Sequence, residues 1–76
     1  MVAPDVTLEL CFSKGEADRR ENYWAGVVMR LGGANVCGIT QEPAGKDKYR
    51  IIISFYVDKT DKKFLEFMIK MRREMR

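Results

Sequence analysis

Residues 6–12, "VTLELCF", alternate along the chain with a period of two. That spacing predicts a half-buried strand, with Val6, Leu8, Leu10 and Phe12 on one side and Thr7, Glu9 and Cys11 on the other. Ser13 and Gly15 mark a turn, and a helix is expected from about Glu16. In it Tyr23, Trp24, Val27, Val28 and Leu31 recur at the 3.6-residue period and form one apolar face. Ala25 and Met29, four apart, form a second apolar edge beside that stripe. The helix is expected to end at "LGG", residues 31–33, because glycine past the last turn takes the left-handed conformation at little cost.

A short strand is expected at "NVCGITQ", residues 35–41, and a turn at "EPAGKDK", residues 42–48, where Pro43 and Gly45 punctuate the chain. The strongest strand signal is "YRIIISFYV", residues 49–57. There Tyr49, Ile51, Ile53, Phe55 and Val57 share one face, and Arg50, Ile52, Ser54 and Tyr56 share the other. "DKTDKKFLEFMIKMRREMR", residues 58–76, reads as a second helix with Asp58 as N-cap and Asp61 three residues on. Phe64, Leu65, Met68, Met71 and Met75 form its expected buried stripe, widened by Phe67 and Ile69.

The order β-α-β-β-α predicts an α+β fold: a two-layer sandwich in which a three-stranded antiparallel sheet carries two helices on one face. The whole chain, residues 1–76, is expected to be one domain. Ile52 and Tyr56 on the reverse side of the third strand predict a further covering there, by a second copy or another chain.

Seventy-six residues, 46% hydrophobic and 33% charged, fit a soluble globular domain. No apolar run approaches the roughly 20 residues that cross a bilayer, so no membrane partner is expected. The start, "MVAPDVTLEL", has no basic segment followed by an apolar one and predicts no secretory signal. Cys11 and Cys37 are too few for a disulfide framework and read as reduced, half-buried residues, which points to a cytoplasmic setting.

Charge is unevenly spread. The net +3 divides into 7 Lys/Arg against 8 Asp/Glu over residues 1–58, and 7 against 3 over residues 59–76. A basic terminal helix suits RNA, DNA or an acidic partner, and equally a solvated helix face.

Catalytic chemistry has few carriers. The chain has no histidine, which removes His-assisted nucleophilic catalysis and most zinc sites. Gly32-Gly33 follows a helix, the wrong context for a phosphate loop. Asp58 and Asp61 are accounted for by capping. A non-enzymatic protein without cofactor or metal is therefore expected. The cluster "KDKYR" is the main candidate for binding: Lys46, Lys48 and Arg50 alternate, so on an extended segment they project from one side and could hold phosphates, with Tyr49 or Tyr56 as a stacking surface. A solvated hairpin turn would use the same residues.

The order of the pieces "VTL", "SKGEADRRENYW", "LGG", "VCG", "KDKYRIII" and "DKTDKKFLEFM" resembles the C-terminal half of the eukaryotic mRNA cap-binding translation initiation factor 4E family. The resemblance covers most of this chain and about half of a family member. It implies that Trp24 anchors the dorsal helix, and that Ala25, Met29 and Gly33 lie on the edge where a partner's amphipathic helix docks. It also implies that Lys46, Lys48 and Arg50 contact phosphate and that Phe55 contacts a base. The tryptophan pair and glutamate that hold the cap guanine in that family have no counterpart in the matched pieces. The implied role is a translation-initiation module that contacts RNA phosphate and a partner peptide. "YWAGVVMRLGG" and "ISFYVDKTDKKFLEF" also resemble the αββα half of LAGLIDADG homing endonucleases. Leu31 stands there where that motif has its metal-binding acid, so this second resemblance implies an inactive, dimeric DNA-binding module. A small homo-oligomeric protein-interaction domain is the third expectation.

Overall fold

The computed structural model describes residues 2–75. Five elements follow one another: β1 (Val6–Cys11), α1 (Lys14–Arg30), β2 (Cys37–Gly45), β3 (Lys48–Phe55) and α2 (Lys62–Glu74). The strands form one antiparallel sheet in the order β1-β3-β2, with the Ile-rich β3 in the centre. This is the α+β arrangement that the patterning predicts. Ile51, Ile53 and Phe55 of β3 enter a common core with Trp24, Val27 and Val28 of α1 and Phe67 and Met71 of α2. The helices therefore cover the same face.

Local chemistry explains the ends of α1. The Glu16 N–H donates to Ser13 Oγ at 3.1 Å, so Ser13 is the N-cap and the helix starts at Lys14, two residues before the start expected from the Ser13–Gly15 turn signal. At the other end Gly32 adopts φ 73°. Its N–H donates to Met29 O at 3.0 Å, and the Gly33 N–H donates to Val28 O at 2.8 Å. These two bonds form a Schellman motif and satisfy carbonyls that the helix leaves open. The buried positions of α1 are Ala17, Trp24, Val27 and Val28. Tyr23, expected among them, is exposed; it stands edge-on to Trp24 at 5.2 Å with the Arg20 guanidinium 4.4 Å from its ring.

β1 departs from simple alternation. Val6 pairs with Ile53 and Thr7 with Ile52, but Glu9 pairs with Ile51 because Leu8 is an extra residue in the ladder. Such a bulge shifts the phase of everything after it. Beyond it, Cys11 and Glu9 face the helices, and Leu10 faces away. Cys11 is fully buried (0% exposed), whereas Leu10 and Phe12 are exposed. The expected grouping of Val6, Leu8, Leu10 and Phe12 on one face is thus broken at Leu8.

The inward-turned Glu9 has partners on α1. Arg20 donates through Nε to Oε1 at 2.7 Å and through Nη2 to Oε2 at 2.9 Å, while Trp24 Nε1 donates to Oε2 at 2.9 Å. The hydrogen bonds from Arg20 hold the Glu9 carboxyl below its ordinary value of 4.5; burial opposes them and the Trp24 bond assists. A second polar junction ties β2 to α1. Gln41 donates to Asp18 at 2.8 Å and to Glu21 at 2.6 Å, and accepts from Lys14 Nζ at 2.9 Å.

The hairpin is tighter than its punctuation predicts. β2 runs through Pro43 to Gly45, and only Lys46 and Asp47 form the turn, Asp47 at φ 56°. Proline is compatible with pairing because β2 lies at the sheet edge and loses no ladder bond on its free side.

α2 is also rotated from expectation. Its N-cap is Asp61, which accepts from the Lys63 N–H at 2.8 Å. Asp58 instead accepts from Thr60 N–H and Oγ1 in the preceding turn. Phe67 and Met71 are buried, Phe64 and Met68 partly so, and Leu65, Ile69 and Met75 are exposed. The reason is Gly33: the Phe67 ring packs directly on it, and a Cβ there would fall inside the ring's van der Waals surface. Phe64 meets Phe55 edge-on at 4.9 Å, and Arg30 pairs with Glu74. These contacts hold α2 toward the end of the sheet. The radius of gyration is 12.5 Å, against about 11 Å for an average domain of this length. Among the described residues no helix is long and apolar enough to cross a membrane.

Gly33→Ala is expected to destabilise by about 1–3 kcal/mol through overpacking against Phe67. Gly26→Ala, whose Cβ would meet open space, is expected to stabilise by about 0.5–1 kcal/mol as a helix-interior replacement. Urea denaturation of both variants checks the contrast. Glu9→Gln is expected to cost about 1 kcal/mol near neutral pH, because the pair is part-exposed and screened. Since the folded Glu9 titrates below its unfolded value, its contribution is present above about pH 4.5 and fades as pH falls through the folded value. The two proteins should therefore converge in stability in acid.

Candidate functional site

The sheet has one covered face and one open face. Register assigns the residues of the open face: Lys48, Arg50, Ile52 and Ser54 on β3, Gly38, Thr40 and Glu42 opposite them on β2, and Thr7 and Leu10 on β1. Among the described residues no helix lies over this side. Ile52 is 8% exposed, yet it belongs to no part of the core beneath the helices. Its burial comes from its neighbours on the open face, as expected for the middle of a central strand.

Two aromatic side chains flank this surface. Tyr56 is 62% exposed. It continues the β3 alternation, and its phenol oxygen reaches across the bare backbone of Gly38, where any Cβ would collide with it. The Tyr56 N–H donates to Val36 O at 2.8 Å, which prolongs the pairing of β2 and β3. Phe12 is 60% exposed. It lies one residue past the last pair of β1, Cys11 with Tyr49, and strand alternation continued by that residue puts it on the Leu10 side at the hairpin end. From Lys48 to Tyr56 the surface runs roughly 26 Å, at about 3.3 Å per strand residue.

The expected basic residues are partly brought together. Lys48 and Arg50 share the open face, and Lys46 stands in the turn beside them; all three are exposed. Arg50 pairs across strands with Glu42 at 2.8 Å, both about half exposed. Such a pair is weak and exchanges readily with another anion. Tyr49 does not join them: it faces the helices, with Lys14 Nζ 5.6 Å from its ring centre.

Two other expectations meet a different geometry. Phe55, expected at a base, is 7% exposed and packed in the core against Phe64. Its odd position on β3 puts it on the helix side, away from Lys48 and Arg50. The trio expected on a partner edge is split: Met29 is 73% exposed, Ala25 is half-buried, and Gly33 lies beneath Phe67. Trp24 is the buried anchor expected of it. Alternation alone groups Phe12 with Val6, Leu8 and Leu10 on one side. A signal against that assignment was present in Glu9, since a carboxylate on the same side as the α1 arginines can find a partner only there.

Neither cysteine offers a nucleophile. Both are free and buried, and burial pushes the Cys37 thiol up to about 11 and raises Cys11 as well. Among the described residues no group of three or more His, Cys, Asp or Glu side chains is placed to hold a metal ion.

Comparison of this chain with protein-family models, with curated proteins and with solved structures returns no match.

Proposed function

We propose that this chain is a non-enzymatic module that binds single-stranded RNA across the open face of its sheet. The observation that carries the reading is the placement of two exposed aromatics, Phe12 and Tyr56, on the face that also bears Lys48 and Arg50. Bases stack on aromatic side chains without sequence preference, each worth about 1–3 kcal/mol, while cations follow the phosphates. Lys46, Lys48 and Arg50 take the phosphate role, Phe12 stacks a base at the hairpin end, and Tyr56 stacks another at the far end. Unstacked bases suit a flat sheet face, whereas an RNA duplex presents grooves and backbone. The cap-binding resemblance implies the same basic residues; the base contact passes from the buried Phe55 to the two surface aromatics. A cytoplasmic role on messenger RNA belongs to this reading.

A second reading is favoured by the apolar residues of the same face. Leu10, Phe12 and Tyr56 would be covered if a second copy packed there. The two readings separate by measuring mass and RNA affinity on the same sample.

The test is fluorescence anisotropy with a labelled single-stranded RNA dodecamer, with a DNA duplex as control. Saturable binding is expected, with a log–log salt slope of about −2, since each of three phosphate contacts contributes roughly 0.7 on a single strand. Phe12→Ala and Tyr56→Ala should each weaken binding by about 5- to 150-fold. Lys46→Ala and Lys48→Ala should each flatten the slope by about 0.7. No saturable binding at low salt, or affinity unchanged by all four variants, overturns the proposal. A dimer whose RNA affinity is absent and whose mass falls with Tyr56→Ala supports the second reading instead.

A further inference from the structure

On the helix side, the start of α2 and the end of α1 enclose a shallow cleft of about 240 Å³. Phe67, Val36 and Leu31 give it an apolar lining, and Asn35 stands at the loop side. Lys63, Glu66 and Lys70 line it from α2. Lys63 and Lys70 are seven residues apart, so they lie on one side of the helix about 10.5 Å from each other along its axis. Among the described residues neither forms an ion pair, whereas Glu66 is engaged by Lys62 at 3.9 Å. The cleft thus offers an apolar floor bordered by two ammonium groups that form no ion pair among the described residues, with the Glu66 carboxylate also at its rim; the two lysines leave the rim net positive.

Size and charge narrow what fits. Small-molecule pockets start at about 300 Å³, so this cleft takes a single side chain rather than a nucleotide. An apolar side chain gains from burial on Phe67 and Val36, and two flanking carboxylates match Lys63 and Lys70. On an extended peptide about 10 Å corresponds to three residues, so the acids stand at i and i+3 with two residues between them, one of which is the apolar anchor. We infer that this cleft is a docking site for an acidic peptide segment carrying one apolar anchor between two carboxylates. The site adjoins Gly33, on which the Phe67 ring packs, and it is separate from the open sheet face.

The test uses a fluorescein-labelled peptide, Gly-Ser-Glu-Leu-Ser-Glu-Ser-Gly, titrated with the full chain. Saturable binding is expected. Replacement of its Leu by Ala, replacement of both Glu by Gln, and the double variant Lys63→Glu, Lys70→Glu should each weaken binding at least tenfold. Both lysines are exposed, so the variant should keep the wild-type melting temperature and Trp24 emission. If it does not, Lys63→Gln with Lys70→Gln replaces it, with the same loss expected. No saturation at millimolar peptide, or affinity indifferent to the lysines or to the Leu, overturns the inference. Displacement of the peptide by the single-stranded RNA dodecamer in a Phe12→Ala, Tyr56→Ala background also overturns it, because the cleft would then be a phosphate site. Failure of RNA binding to the wild type bears only on the open face.

Discussion

The Glu9 carboxylate, held by Arg20 and Trp24 of α1, is the polar contact that joins the inward phase of β1 to the helix covering it. A charge on the helix side of a strand is tolerated only where donors meet it. Here a guanidinium and an indole N–H supply both oxygens, so the carboxylate ties the edge strand to the helix that covers it. The extra residue at Leu8 allows Glu9 and Cys11 to turn inward together. Leu10 and Phe12 are consequently turned out and exposed. The same devices blunt the edge, since a bulge and an inward charge both discourage a further strand from pairing with β1. Pro43 does so on β2. The surface left for a partner is therefore the face of the sheet rather than its rims.

Most of the fold was legible in the sequence, and the misses have local causes. The alternation of β3 and the Gly32-Gly33 stop of α1 are strong signals that tertiary packing reinforces. β1 was misread because a bulge leaves no mark in composition, and one inserted residue exchanges the two faces for all that follows. On α2 the expected stripe holds at Phe64, Phe67, Met68 and Met71 and fails at Leu65, Ile69 and Met75, because apolar residues at 64, 65, 67, 68, 69, 71 and 75 make too broad a band for periodicity to choose within it. Only the bare backbone at Gly33, far away in sequence, selects Phe67. The turn "EPAGKDK" was read as loop because proline and glycine punctuate chains, yet an edge strand accommodates both. Among the site residues, Lys48 and Arg50 were legible from β3 alternation. The roles of Phe55 and Gly33 come from family resemblance, which does not register that Phe55 faces the helices and that Gly33 lies beneath Phe67.

Charge and apolar surface are combined twice on this small body, on opposite sides. On the open sheet face the cations sit at the hairpin end and the aromatics flank an aliphatic centre. On the helix side, lysines of α2 border a cleft lined by Phe67. The excess positive charge lies in residues 59–76, so the helix side gains more from a negative partner than the sheet does. Both surfaces exist because the core is one-sided: a single layer of helices buries one face of the three strands.

The phase of β1 is the central claim, since it decides which residues the open face presents. Thiol accessibility tests it most directly, using a chromogenic aromatic disulfide on the folded wild type and on Leu10→Cys. With Cys11 and Cys37 both buried, the wild type should release no fast-reacting thiol until it is denatured, and Leu10→Cys should show one. A Cys11 that reacts at the rate of a denatured thiol, together with a protected residue 10, would contradict the bulged strand and the open face built on it.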